Sequence, residues 1–379
     1  MKFRTFVNKV QRASRLAQQF TSALLGLSFL AAANVALAEG ASDKPGHEYV
    51  YVQATMTKDI WVIDAETFKV AGHIPIGDYT DDVIGSPDGK TAFANAQIWS
   101  GNPMSWQVNE AGKIFAIDTA TDKIKWSTFV EGSPHHLAVS PDGSRVYVPL
   151  FDRNYLLVLD AKTGQVLQRW HAQLGNHSLE MSKDGSRLYV GSMLADRIWV
   201  YDTSAGPSGK IVKAFSAGDA VRPLVLDPEE KHIIYQLDRF HGFKVRDVNT
   251  GEVVRSIDLP PMPAEIKMPE SFPYTVDHGL GVTPDGTKLL AVASLASYVA
   301  VYSLPDYKLV GTVPVGQDPN WVRFTGDSRY AFVSNRASDS VSVIDLASMK
   351  EIKQIPVGKM PQRFSVIRVP TRSVNYQAQ

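Results

Sequence analysis

Three histidines, His135, His177 and His278, each stand seven residues ahead of an aspartate that opens an Asp-Gly turn, at Asp142, Asp184 and Asp285. The same position ahead of related turns holds Asp81, Arg222 and Asn320, and His136 adjoins the first histidine. Imidazole is the commonest metal ligand and the usual acid–base group near neutral pH. Three imidazoles in one register could hold a divalent metal on His135, His177 and His278, transfer protons, or bind a ligand. Arg222 in the same set weighs against a dication and favours a small anionic ligand, such as a carboxylate held bidentately. His241 falls on another connection that should emerge on the same face.

Other candidates carry less. Asp81 and Asp82 form a carboxylate pair in sequence, but strand neighbours point to opposite sides, so they are not expected to share a site. Asp64, Asp118, Asp160, Asp202, Asp247 and Asp345 recur at the ends of short apolar runs, where aspartate caps a turn through its own backbone. His47, His73, His171 and His232 fall on outer strands or turns. No nucleophile elbow, phosphate-binding loop, dinucleotide fingerprint, zinc-protease or calcium-loop motif is present.

The elements that position these residues repeat. Each copy is an alternating apolar run that breaks at a Ser-Pro-Asp-Gly-like turn, as in HHLAVSPDG at 135–143. A strand rich in aromatic and β-branched residues follows, then a third strand that ends in the capping aspartate. Seven units occur, the first of them without its inner run. A repeat of about 40–50 residues built only from short strands and turns predicts an all-β, seven-bladed β-propeller with four-stranded antiparallel blades. In that fold the repeated position lies at the mouth of the central tunnel, outside the core.

The frame resembles the YVTN family of β-propeller repeats, and through it the large chains of quinoprotein amine dehydrogenases. The resemblance covers residues 48–369 and rests on turn and core residues, so it bears on fold more than on activity. It implies a propeller that binds or scaffolds, as a non-catalytic subunit or accessory of a periplasmic redox enzyme. The propeller subunit of hydrazine synthase is similar in this respect. The alternative is a stand-alone propeller enzyme, a lactonase, hydrolase or lyase working from a His-rich funnel with or without a metal.

The first repeat has three strands and lacks an inner one, whereas the run at 362–369 has no partners of its own. The last strand is therefore expected to complete the first blade, closing the ring and removing two sheet edges. The remainder, 370–379, is polar and reads as a loose tail. Two connections, 97–113 and 259–277, are too long for plain turns and fall on the face where the inner strands begin. Trp99, Trp106, Phe272 and Tyr274 within them would form the rim of the funnel.

Residues 1–38 read as a signal peptide: five basic residues without an acidic one, an apolar run, and Ala36-Leu37-Ala38 before Glu39. Export to the periplasm or beyond follows, with no membrane insertion after cleavage. The chain has 39 basic and 39 acidic residues, so the mature part would carry 34 against 39. That excess of negative charge offers nothing to nucleic acid. The absence of cysteine rules out disulfides, iron–sulfur clusters and covalently attached haem.

Overall fold

The computed structural model describes residues 46–98, 111–206, 208–270 and 275–374. The expected leader and the rim residues Trp99, Trp106, Phe272 and Tyr274 lie outside the described residues. Among the described residues, no helix is long and apolar enough to cross a membrane.

Seven four-stranded antiparallel sheets are arranged as the blades of a propeller. Blade 1 takes its inner strand, Pro361–Val369, from the C-terminal end of the chain; it pairs with His47–Ala54, which is followed by Asp59–Asp64 and Lys69–Pro75. The inner strands of blades 2 to 7 are Tyr79–Gly85, Ala138–Val139, Asn176–Met181, Val221–Leu226, Leu280–Val282 and Pro319–Phe324. The closure expected from the orphan strand is thus the one observed, in a register that sets Val50 opposite Val366.

The core is divided in the same way. One apolar cluster fills each interface between neighbouring blades, and the last of them joins Val50, Val52 and Phe364 of blade 1 to Phe332 and Val341 of blade 7. Strands buried on both faces explain why middle strands such as Lys288–Ala293 are almost wholly apolar. The recurrent aspartates cap turns as expected: Asp64, Asp160 and Asp247 each accept hydrogen bonds from backbone N–H groups two and three residues on. Of the tail, Arg372 is anchored: its guanidinium grips both carboxylate oxygens of Asp122, at 2.7 and 2.5 Å.

One irregularity recurs at a single level. In blades 1, 2, 4, 5 and 7 the inner strand carries one residue more than its neighbour. The same excess separates Pro134, bridged to Leu150, from Ala138, paired with Tyr147, in blade 3. The extra residues coincide with Asp81–Asp82, His135, His177, Arg222, Asn320 and Arg363. A bulge of this kind bends the strand and re-aims a side chain. In blade 6 the equivalent place has Gly279 at φ +140°, and a Cβ there would lie 2.8 Å from the Asn320 carbonyl oxygen, so His278 must be followed by glycine.

Candidate functional site

The bulges bring the repeated residues together at one end of the tunnel. The rings of His135 and His177 have centroids 5.4 Å apart, His136 and His177 4.6 Å, and His177 and His278 5.5 Å. Trp321 closes the group, 5.0 Å from His136 and 5.8 Å from His278. His278 donates from Nδ1 to the Asn320 carbonyl at 3.1 Å, and His135 Nδ1 stands 3.3 Å from Asp81 Oδ2.

The expectation of a tunnel mouth outside the core is corrected here. Asp81, His135, His136, His177, Arg222, His278 and Asn320 are all between 0 and 4% exposed. The bulges in six blades, and Gly279 behind His278 in blade 6, turn these side chains inward, where they are buried. The expectation that Asp81 and Asp82 cannot share a site also fails, because both fall inside a bulge where two-residue alternation is broken. Both carboxylates sit in the field of one guanidinium, that of Arg363.

Arg363 is the seventh member of the ring and escaped the sequence reading. Its Nη1 donates to Asp81 Oδ1 at 2.7 Å and its Nη2 to His177 Nε2 at 2.9 Å, and its guanidinium lies 5.7 Å from the Trp321 ring. Lysine or arginine can only donate, so His177 must accept at Nε2 and carry its proton on Nδ1. That proton faces Ser178 Oγ at 3.2 Å, which donates in turn to the Arg222 carbonyl at 2.8 Å. One chain of hydrogen bonds therefore runs from the C-terminal strand through blade 4 to blade 5. Arg222 itself is paired with Asp238.

The electrostatics follow from burial. Burial alone would raise the Asp81 carboxyl, but Arg363 and His135 bring it down to about 2. Asp82 is pushed up to about 6 by burial, against the pull of Arg363 and a hydrogen bond from the Leu137 N–H. Burial, reinforced by Arg363 and neighbouring imidazoles, holds His136, His177 and His278 well below the ordinary histidine value, so all three are neutral at pH 7.

His136, His177 and His278 bring one nitrogen each within 4.8 Å of one another. The trio differs from the one expected, since His136 replaces His135, which turns to Asp81. Neutral imidazoles suit a metal, but the His177 lone pair is already taken by Arg363. A cation bound there would have to displace one guanidinium hydrogen bond and lie beside a fixed positive charge.

Five buried polar atoms of the ring have no hydrogen-bond partner among the described residues: His136 Nε2, Arg222 Nη2, Asn320 Oδ1, Trp321 Nε1 and Arg363 Nε. Three of them, on Arg222, Trp321 and Arg363, are N–H groups that can only donate. Each such group costs about 1–3 kcal/mol if left unmet, so five together would rival a total stability of about 5–15 kcal/mol. A water or a ligand that accepts hydrogen bonds would meet the three donors.

His241 stands apart from it. Its Nδ1 lies 3.0 Å from Asp277 Oδ2 and its Nε2 2.9 Å from the Pro260 carbonyl. It thereby ties together the two ends of the 259–277 insertion. Burial opposes the charge, yet Asp277 raises the His241 pKa, while burial raises Asp277 to about 6. This is a clamp at the base of a loop and not a member of the ring.

No protein-family model and no curated protein matches the chain, so the likeness to YVTN repeats rests on the repeat frame alone. Solved structures match the fold. A functionally unknown protein from Desulfotomaculum acetoxidans superposes with a TM-score of 0.69 at 11% identity, covering 85% of this chain and 99% of that one. The periplasmic gluconolactonase PpgL of Pseudomonas aeruginosa gives 0.64 at 18% identity, with 85% and 100% covered. Hydrazine synthase of Kuenenia stuttgartiensis gives 0.61 at 18% identity, with 76% and 95% covered. At these identities the likeness is one of fold.

Proposed function

We propose that the protein is an exported propeller that binds a small oxyanion, a carboxylate first among them, in the ring at the head of its tunnel. The observation that carries this reading is the set of unmet donors on Arg222, Trp321 and Arg363. A metal ion accepts nothing from an N–H group, whereas a carboxylate oxygen accepts from several. Neutral imidazoles add donors without adding charge. Several ionisable groups of the ring are already engaged, Asp81 with Arg363 and Asp82 with the Leu137 N–H, and the histidines stay neutral. Binding without chemistry agrees with a role as a periplasmic subunit or accessory whose partners supply the redox centre.

The test is calorimetry of the mature protein with acetate, succinate and gluconate, against glycerol as a neutral control. Saturable binding of at least one carboxylate, weakened by Trp321→Phe, which removes the unmet Nε1 donor, and by His136→Ala, is the expected result. A second reading, hydrolysis of a sugar lactone, draws on the PpgL structure, whose whole length this chain covers. Turnover of glucono-lactone that disappears in His136→Ala would favour that reading over binding alone.

A further inference from the structure

The tunnel has a second level that the ring does not use. Four residues ahead of the successive turn positions stand Ile84, Ala138, Glu180, Val225, Gly281 and Arg323. Each lines one or both of two cavities, of about 430 and 170 Å³, which share Ile84, Glu180, Met181 and Arg323 as walls. The larger is bounded by Pro228 and Gly286 of the turns that follow the inner strands of blades 5 and 6, and the smaller ends against His136 and Trp321. A passage therefore leads from the turn face to the underside of the ring.

Glu180 and Arg323 are the only charges at this level of the six, and they belong to blades 4 and 7, on opposite sides of the tunnel. Arg323 donates to its neighbour's carbonyl, that of Val322, at 2.9 Å and lies over the Trp321 ring at 4.6 Å. The two charges influence one another, yet among the described residues neither forms an ion pair. A carboxylate and a guanidinium, both partly buried, thus face the passage with no ion-pair partner of their own. One ligand with two opposite charges and an apolar stem would meet both.

We propose that the lower tunnel is a second ligand site, for a small zwitterionic amino-carboxylate whose ammonium meets Glu180 and whose carboxylate meets Arg323. A ligand with one charge alone would leave the other protein group unmet. Burial lifts Glu180 to about 7, with Arg323 opposing and Glu230 adding to the rise. Asp82, Lys183, Asp227 and Glu230 are the other charged groups that line the passage. An arriving ammonium draws Glu180 into its charged form, so binding near pH 7 releases a proton.

The experiment is calorimetry of the mature protein with the straight-chain series from glycine to 6-aminohexanoate, with propionate and propylamine as one-charge controls. At least one member should bind tenfold more tightly than both controls. Glu180→Gln and Arg323→Gln should each weaken it tenfold or more, and heats in phosphate and Tris at pH 7 should differ through the released proton. If either variant does not fold, Glu180→Asp keeps the charge and should move the preferred ligand one methylene longer. No binding by the whole series, unchanged affinity in Glu180→Gln, or an unmoved chain-length preference in Glu180→Asp would overturn the proposal. The ring is tested through other residues, so either site can fail while the other stands.

Discussion

Replacing Arg363 by methionine asks whether opposite charges hold the ring. Methionine keeps an unbranched stem but leaves Asp81, 4% exposed, with only His135 nearby at 3.3 Å. Deleting one partner of a buried ion pair costs about 3–5 kcal/mol. The Asp81 carboxyl offers a second route to the magnitude. Its fall from 3.8 to about 2 corresponds to about 2 kcal/mol of stability. The lost bond to His177 adds about 1 kcal/mol. The two routes meet near 3 kcal/mol. Urea unfolding at pH 7 should show this as a lower midpoint with an unchanged slope.

Two further readouts separate the pair from mere packing. Asp81→Asn combined with Arg363→Met removes both charges, so the double variant should lose less than the two single losses together, by about 0.5–3 kcal/mol. The folded pKa of Asp81 is depressed, so its contribution is present above 3.8 and is lost as the pH falls towards about 2. The deficit of Arg363→Met should accordingly narrow below about pH 4. A loss under 1 kcal/mol at pH 7, or strict additivity in the double variant, would refute the reasoning.

Truncation after Gly358 removes the inner strand of blade 1 together with Arg363, and the expected loss of more than about 5 kcal/mol should leave little folded protein by circular dichroism. His241→Ala should free the base of the 259–277 insertion, read as faster proteolysis there with the ring's carboxylate affinity unchanged. Three neutral histidines have folded pKa values below 6.5, so they contribute nothing above that pH and destabilise as it falls, by up to about 1.4 kcal/mol per pH unit each. Asp82, Glu180 and Asp277, raised to about 6, 7 and 6, act with the opposite sign, since the folded protein keeps protons that the unfolded chain loses as pH rises past about 4. Wild-type stability should stay nearly level from pH 6.5 to 5; relative to it, His177→Asn should gain on acidification and Glu180→Gln should lose, and urea curves that run parallel for all three would refute this balance.

The repeat made the blades and six of the seven ring positions legible, because a fixed distance to a turn aspartate is also a fixed height in the tunnel. Arg363 was hidden for a topological reason. Its strand ends the chain, so no Asp-Gly turn follows to mark its register, and only ring closure sets it beside Asp81 and His177. Burial was misjudged for a local reason. An alternating strand would send Asp81 and Asp82 apart and would give no ground for choosing His136 over His135; a bulge changes both, and one sequence shows no bulge. Glu180 and Arg323 were visible in the same frame, three residues on, but only to a reading that compares a second level across the blades.

The bulges bear on the proposed ligand site. A propeller with a solvated mouth gains nothing from an extra residue at one level of its inner strands, since each bulge forfeits regular ladder pairing. Here six of the seven blades carry it at the ring. The result concentrates two arginines, four histidines and Trp321 where apolar side chains would have packed at lower cost. Buried polar groups with donors left unmet are expected where the missing acceptor arrives from outside. The backbone irregularity and the unmet donors therefore both support the proposed ligand of the ring.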